Sequence, residues 1–520
     1  MQKFPILFAA LALACNSSQK SVGENTALPS KQPEDATVFA STITREELKD
    51  HLYTYASDDF QGRETGTEGQ KKAANYLRDA YRELAIPSAP GTDDYFQKVP
   101  LELTRLPEGS ITLNGKSYAN GEAFMTFQPG EGQYHEIIYL GYGIDADGYS
   151  DYKDQEVRGK WLLIKAGEPK NEDGTYVLSG SGESGAWSNQ SEAIDKRREA
   201  ARRHGVAGFF YVDDLNYMRY QRYFNSMKRN NSGQMGFKTN EKEPQLVLLQ
   251  SSVAQQLYPQ LEAQDQATPL KADLRLEVRS QNEEIDTENV AAFIRGSEFP
   301  DQYVIISSHL DHIGMTPEGE INNGADDDGS GTVALLEIAE AFEEAAKAGA
   351  GPRRSVVFLH VTGEEKGLLG SQYYTDVAPL FPLASTVVNL NIDMIGRTDP
   401  KREGDGNYVY LIGSDKLSTE LHELSERVNA RYTQLDLDYK YNDENDPNRF
   451  YYRSDHYNFA KNNIPIIFYF NGTHEDYHRP GDTPDKIAYD LLEKRARLVF
   501  YTAWEVANQH GRIAADKAAK

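Results

Sequence analysis

Asn289-Val290-Ala291-Ala292-Phe293-Ile294 is followed, nine residues on, by Tyr303-Val304-Ile305-Ile306-Ser307-Ser308-His309-Leu310-Asp311-His312. Both runs are short, apolar and rich in β-branched residues, so they read as strands buried on both faces. The second breaks at its carboxyl end into imidazole and carboxylate side chains. Sites in open α/β sheets form just beyond the carboxyl ends of strands, so this stretch sets both a fold class and a place to look for chemistry.

Outward from it the pattern repeats. Gly331 to Ala345 has helical spacing, with Leu335, Ile338, Ala339 and Phe342 on one face. Ser355–Val361, Thr386–Ile392 and Ile464–Phe470 are further apolar strands. Strands alternating with helices predict an α/β fold, a mostly parallel mixed sheet flanked by helices. Upstream, Thr44-Arg45-Glu46-Glu47 carries a capping box. Glu68 to Leu84 is a helix with Ala73, Ala74, Leu77 and Tyr81 on one face, and Tyr95 to Leu101 is a strand.

Between about 112 and 275 the texture changes. Strands at Glu136–Leu140 and Gly159–Ile164 precede a helix, Glu192–His204, which leads into Gly205-Val206-Ala207-Gly208. No charged cluster with metal-ligand spacing occurs in this stretch, which reads as a β-rich insertion into the larger domain.

At 520 residues the chain is too long for a single ordinary core. Apolar residues make up 39% and charged residues 26%, the balance of a globular chain. A formal net charge of -25 argues against nucleic acid, which needs clustered Lys and Arg. The one cysteine, Cys15, excludes an intrachain disulfide. It closes an apolar run, Ile6 to Ala14, that follows Lys3 and is too short to span a bilayer. Leu11-Ala12-Leu13-Ala14-Cys15 resembles a bacterial lipoprotein signal, with Ala12 where such signals usually carry Leu. That resemblance implies a signal peptide over 1–15, lipidation of Cys15, a flexible tether over 16–41, and a lipid-anchored location in the cell envelope.

The chemistry-bearing residues lie at strand ends. His309 and Asp311 follow one strand, Glu364 and Glu365 another; Asp393 ends a third, and His478 lies in the loop after a fourth. Asp326-Asp327-Asp328 stands just before the helix that begins near Gly331. Taken singly, the Glu pair reads as a solvated surface pair and the Asp triplet as a cap and turn. Together they put carboxylates and imidazoles on one edge, where the carboxylates repel one another without a cation. Two imidazoles with several carboxylates suit zinc. Five ligands with one shared carboxylate would serve two ions.

The motifs His309-Leu310-Asp311-His312-Ile313-Gly314, Gly324-Ala325-Asp326-Asp327-Asp328-Gly329, Thr362-Gly363-Glu364-Glu365, Asn391-Ile392-Asp393-Met394, Arg453-Ser454-Asp455-His456 and Asp476-Tyr477-His478-Arg479-Pro480 come in this order. The chain resembles the zinc aminopeptidase family that also contains glutamate carboxypeptidase and transferrin-receptor-like proteins. Leu140-Gly141-Tyr142-Gly143, Arg158-Gly159-Lys160-Trp161 and the passage into Gly205–Gly208 resemble an inserted protease-associated domain. The division implied is a catalytic domain over 42–111 and 276–515, with 112–275 inserted. The resemblance assigns two zinc ions. His309 and Asp393 hold one, Glu365 and His478 the other, and Asp327 bridges them. Glu364 is the general base, Asp311 orients His309 or shapes the bridge, and Tyr451 hydrogen-bonds the tetrahedral intermediate, with Tyr452 a competing choice.

The reaction expected is hydrolysis of amino-terminal residues from peptides by a water that the ions share and Glu364 deprotonates. A carboxypeptidase or dipeptidase is the alternative, with Arg453 or Arg479 gripping a terminal carboxylate. A non-catalytic receptor-like protein is the rival of a different class, disfavoured because all five ligands and Glu364 are present. The insertion, lying between the halves of the catalytic domain, is expected to overhang the cleft and admit only peptide ends.

Overall fold

The computed structural model describes residues 35–189, 192–238 and 243–517. Cys15, the signal segment and most of the expected tether therefore lie outside the described residues. The catalytic part is built on nine strands. In chain order they are β1 (Phe96–Arg105), β2 (Gly233–Phe237), β3 (Glu283–Ile294), β4 (Phe299–His309), β5 (Arg354–Val361), β6 (Thr386–Ile392), β7 (Tyr408–Ile412), β8 (Asp436–Asp438) and β9 (Ile466–Phe470). They lie side by side as β2-β1-β3-β5-β4-β6-β9-β7-β8. The central four, β5-β4-β6-β9, run parallel. The flank through β3, β1 and β2 is antiparallel, and β7 returns antiparallel to β9.

Every residue of β5, β6 and β9 is buried, because helices cover both faces. On one face Gly331–Lys347, Tyr489–Asn508 and Arg45–Tyr55 pack into the largest core, with Phe342, Phe500 and Trp504 in mutual ring contact. On the other, Tyr374, Phe381 and Phe459 close a smaller one. Thr44 caps its helix as the sequence predicts, accepting from the Glu47 amide at 3.2 Å. The chain enters the fold earlier than the expected boundary at 42. Ala36–Ala40 is a short helix whose Phe39 ring lies 5.5 Å from Trp504, so burial of one aromatic holds the end of the expected tether.

The insertion forms a second, eight-stranded mixed sheet. Its outermost strands, Lys116–Ala119 and Phe124–Met125, are joined by a short turn, so the sheet nearly closes on itself. Two apolar cores lie on its faces. It is not a detached module, because β2, from within it, pairs with β1 and forms the edge of the catalytic sheet, with Leu101 opposite Phe237 and Arg105 opposite Gly233. Strand β7 was not foreseen; Tyr408-Val409-Tyr410-Leu411-Ile412 is apolar throughout but only five residues long.

Candidate metal centre and cleft

The carboxyl ends of β4, β5, β6 and β9 deliver the ligating groups to one place. His309 is the last residue of β4 and Asp393 directly follows β6. Glu364 and Glu365 follow β5, and His478 lies beyond β9. His478 has φ 57°, a left-handed conformation that costs a non-glycine residue on the order of 1–2 kcal/mol. The turn Ala325–Ser330 sets Asp327 between them, with extended dihedrals at Asp327.

The distances sort these groups into two sets sharing one carboxylate. His309 Nε2 is 3.3 Å from Asp327 Oδ1 and 3.6 Å from Asp393 Oδ1. His478 Nε2 is 3.0 Å from Asp327 Oδ2 and 3.3 Å from Glu365 Oε1. Ligands about 2.0–2.1 Å from a tetrahedral zinc are about 3.4 Å from one another, so both sets have the span of a zinc site. His309 Nε2 and Asp327 Oδ2 are buried without a hydrogen-bond partner, as groups reserved for a cation are. Two buried clusters, His309–Asp328–Asp393 and His312–Asp327–Glu365, bring their ligand atoms close enough to hold an ion.

Asp328 belongs to the first cluster by distance, but its oxygens are already taken. Oδ2 accepts from the His309 amide at 3.2 Å, and Oδ1 accepts from the Gly331 and Met394 amides at 3.0 Å each. Asp326 likewise accepts from the Gly396 amide at 2.7 Å and from Asn471 at 3.0 Å. The middle acid of the triplet is the one whose oxygens face His309 and His478, while Asp326 Oδ2 lies 3.2 Å from His474 Nε2.

The electrostatics agree. Burial pulls the His478 imidazole down, but Asp327 and Glu365 outweigh it and push it up to about 10. Burial opposes ionisation of Glu365, yet its imidazole neighbours hold the carboxyl down to about 2. The carboxylates around His309 overcome its burial and raise it well above its usual value. Metal-free, the cluster holds protons where cations would sit, and a metal would displace them.

Glu364 is at the wall of the cleft and makes no ion pair with an imidazole among the described residues. Loss of water, with Glu365, Asp393 and Asp455 nearby, pushes its carboxyl well above the usual range. Asp311 departs from expectation. It is the backbone carbonyl that lies 3.0 Å from His309 Nδ1, while the carboxylate is 4.0 Å away and accepts from Thr65 Oγ1 at 2.7 Å and the Glu364 amide at 3.2 Å.

Tyr451 is a correction. Its ring packs near Gly413, His456 and Lys416 and lines a separate depression with Tyr441 and Tyr452. The three-residue helical turn Phe450–Tyr452 turns Phe450, not Tyr451, into the cleft. The cleft tyrosine is Tyr477, stacked 3.9 Å from the His478 ring. Burial, then Asp327, Glu365 and Asp393, raises its hydroxyl far above the usual value, so it stays a donor. Adjacency to His478 was the only sequence signal for it. Arg453 also lines the cleft, over Phe450, donating weakly to Tyr477 Oη at 3.4 Å. Among the described residues it has no carboxylate partner. Arg479 is not among the cleft-lining residues. Nor is any described residue of 112–275.

With this geometry in view, the comparisons fall into place. Residues 289–503 match the model of peptidase family M28. The chain is 27% identical over 260 residues to leucine aminopeptidase 2 of Trichophyton equinum, covering 46% of this chain and 48% of that protein. It therefore spans about half the length of the first curated relatives it matches. It is 25% identical over 450 residues to a probable leucine aminopeptidase 2 of Aspergillus oryzae, covering 85% of this chain and 75% of that one. Among solved structures, an aminopeptidase from Aneurinibacillus sp. strain AM-1 aligns with a TM-score of 0.47 at 16% identity, over 93% of this chain and 98% of that chain. The matched segment contains all the groups that converge at the cleft apart from Thr65.

Proposed function

We propose that this protein is a two-zinc exopeptidase that removes amino-terminal residues from peptides, held at the cell envelope by a lipid on Cys15. The observation that carries the metal reading is the division of Asp327, Oδ1 toward His309 and Oδ2 toward His478. His309 and Asp393 would hold one zinc, Glu365 and His478 the other, and Asp327 both. Bound zinc would supply a Lewis acid and lower the pKa of water so that it attacks near neutral pH.

The chain's own groups do the rest. Glu364, its carboxyl raised well above the usual range by desolvation, takes a proton from the attacking water and passes it to the leaving amine. Tyr477 Oη, in the cleft and protonated, would donate to the developing oxyanion, the role that the family resemblance implies for Tyr451. Ser454 Oγ donates to Asp393 Oδ2 at 2.6 Å and leaves the other oxygen for the metal. Phe450, Phe468 and Phe470 line the cleft and suit apolar side chains.

The named relatives support the amino-terminal reading. One observation favours the carboxypeptidase reading instead, which is Arg453 in the cleft without an acid partner. Paired short peptides, one blocked at its amino end and one at its carboxyl end, assayed with and without chelator, separate the two. Chelator-sensitive cleavage that requires a free amino end is expected. Cleavage that requires a free carboxyl end would overturn the aminopeptidase reading and make Arg453 the specificity residue.

A further inference from the structure

The cleft holds a third imidazole to which the five-ligand scheme gives no work. His312 is fully buried, and its Nδ1 lies 2.9 Å from Glu365 Oε1 and 3.8 Å from Asp327 Oδ2. Its Nε2 is buried with no hydrogen-bond partner, so among the described residues Glu365 is the side chain that hydrogen-bonds this ring, with the His478 ring edge-on to it at 5.7 Å. A carboxylate only accepts, which puts the proton on Nδ1.

The ring sits in a built cradle. The His312 amide donates to the Arg63 carbonyl at 3.1 Å. The Arg63 guanidinium donates to the carbonyls of Asn323 at 2.6 Å and Gly324 at 2.9 Å, drawing that loop over the imidazole. Gly324 is at φ 55°, and a Cβ there would meet His312 Cδ2 at 2.5 Å. The backbone closes on the ring so tightly that only glycine fits, and the imidazole is held against Glu365.

We propose that His312 is a positioning residue for the second cation, its Nδ1–H fixing Glu365 Oε1 so that this carboxylate faces the ion shared with His478 and Asp327. A carboxylate oxygen has two lone pairs, one for the His312 N–H and one for a metal. Donors behind a metal ligand commonly tune affinity 10–100-fold. The inference rests on the two-cation reading of the site.

The test is calorimetric titration of metal-free protein with Zn²⁺, and metal content after dialysis, for wild type, His312→Asn, His312→Gln and His312→Leu. The Asn amide nitrogen branches from the side chain where Nδ1 does and can donate; that of Gln is one carbon too far, and Leu cannot donate. Wild type and His312→Asn are expected to retain two ions. His312→Gln and His312→Leu are expected to keep the first affinity and lose about 10–100-fold in the second. Thermal unfolding of the metal-free forms shows whether each variant folds, and the contrast between Asn and Gln survives if Leu does not. Two ions at wild-type affinity in the Leu or Gln variant would overturn the proposal. So would complete loss of the second ion in His312→Asn, which would make His312 a ligand itself. Uptake of a single ion by wild type would refute the two-cation reading before any variant is compared, and this proposal with it.

Discussion

Glu364→Gln should abolish turnover and leave the metals in place. Glu364 lines the cleft, yet it has no ion pair with His309, His312 or His478, whereas Glu365 Oε1 is 2.9 Å from His312 and 3.3 Å from His478. An amide of the same size cannot accept the proton of the attacking water. General base catalysis contributes about 10²–10⁴-fold, or about 3–5 kcal/mol of barrier at 1.36 kcal/mol per tenfold. Desolvation, with Glu365, Asp393 and Asp455 nearby, pushes the Glu364 carboxyl well above the usual range. The assay is kcat on a short amino-acyl amide together with metal content after dialysis. Glu364→Gln is expected to fall by about 10²–10⁴-fold in kcat with both ions retained. Glu365→Gln is expected to release one ion. Loss of metal from Glu364→Gln, or a rate within about tenfold of wild type, would refute the division of labour between these adjacent residues.

Three further outcomes follow from particular contacts. Asp482 Oδ2 accepts from the amides of Asp326 at 2.9 Å and Asp327 at 3.2 Å, so it holds the bridging turn from the loop that carries His478; Asp482→Ala strands two buried amides, each costing about 1–3 kcal/mol, and should lower both melting temperature and metal affinity. Glu337 is buried on the helix behind the sheet, and loss of water pushes its carboxyl up to about 9; the native state then binds a proton that the unfolded chain releases above about pH 4.5, so stability falls as pH rises from there toward 9, and Glu337→Gln should raise the melting temperature at pH 8 but not at pH 4.5, by an amount worth at most about 3 kcal/mol at pH 7. Arg453→Ala should leave kcat/KM for an amino-acyl amide within about threefold of wild type, since that substrate offers no carboxylate; a much larger loss would place the guanidinium in the catalytic machinery.

The insertion changes how the catalytic domain can be dissected. Deleting 115–275 would remove β2 and bare the full edge of β1, an unpaired strand that invites aggregation. Lost activity in such a truncation would therefore report on the sheet edge before it reported on the cleft, whose lining comes wholly from the catalytic part.

The sequence by itself determined the α/β class, because strands buried on both faces are predominantly apolar rather than alternating, and 303–307, 355–361, 386–392 and 464–470 are, with helical spacing between them. It also placed the chemistry, because side chains after such strands share one sheet edge wherever the helices go. The β7 strand and the Ala36–Ala40 helix escaped it, being five residues each and too short for periodicity to register. Which acid of Asp326-Asp327-Asp328 faces His309 and His478 came from family likeness; only the folded turn supplies the cause, spending the oxygens of Asp328 on backbone amides and those of Asp326 on the Gly396 amide and the side chains of Ser330, Asn471 and His474. Tertiary structure alone decided that Tyr477 and not Tyr451 lines the cleft, because the 3-10 turn Phe450–Tyr452 rotates neighbouring side chains by about 120° each and points Phe450 there. It alone brought His312 to Glu365, 53 residues apart in the chain, through pairing of β4 with β5. Spacing along a chain fixes which residues share an element, whereas which oxygen of a carboxylate is left free depends on every donor the fold packs around it.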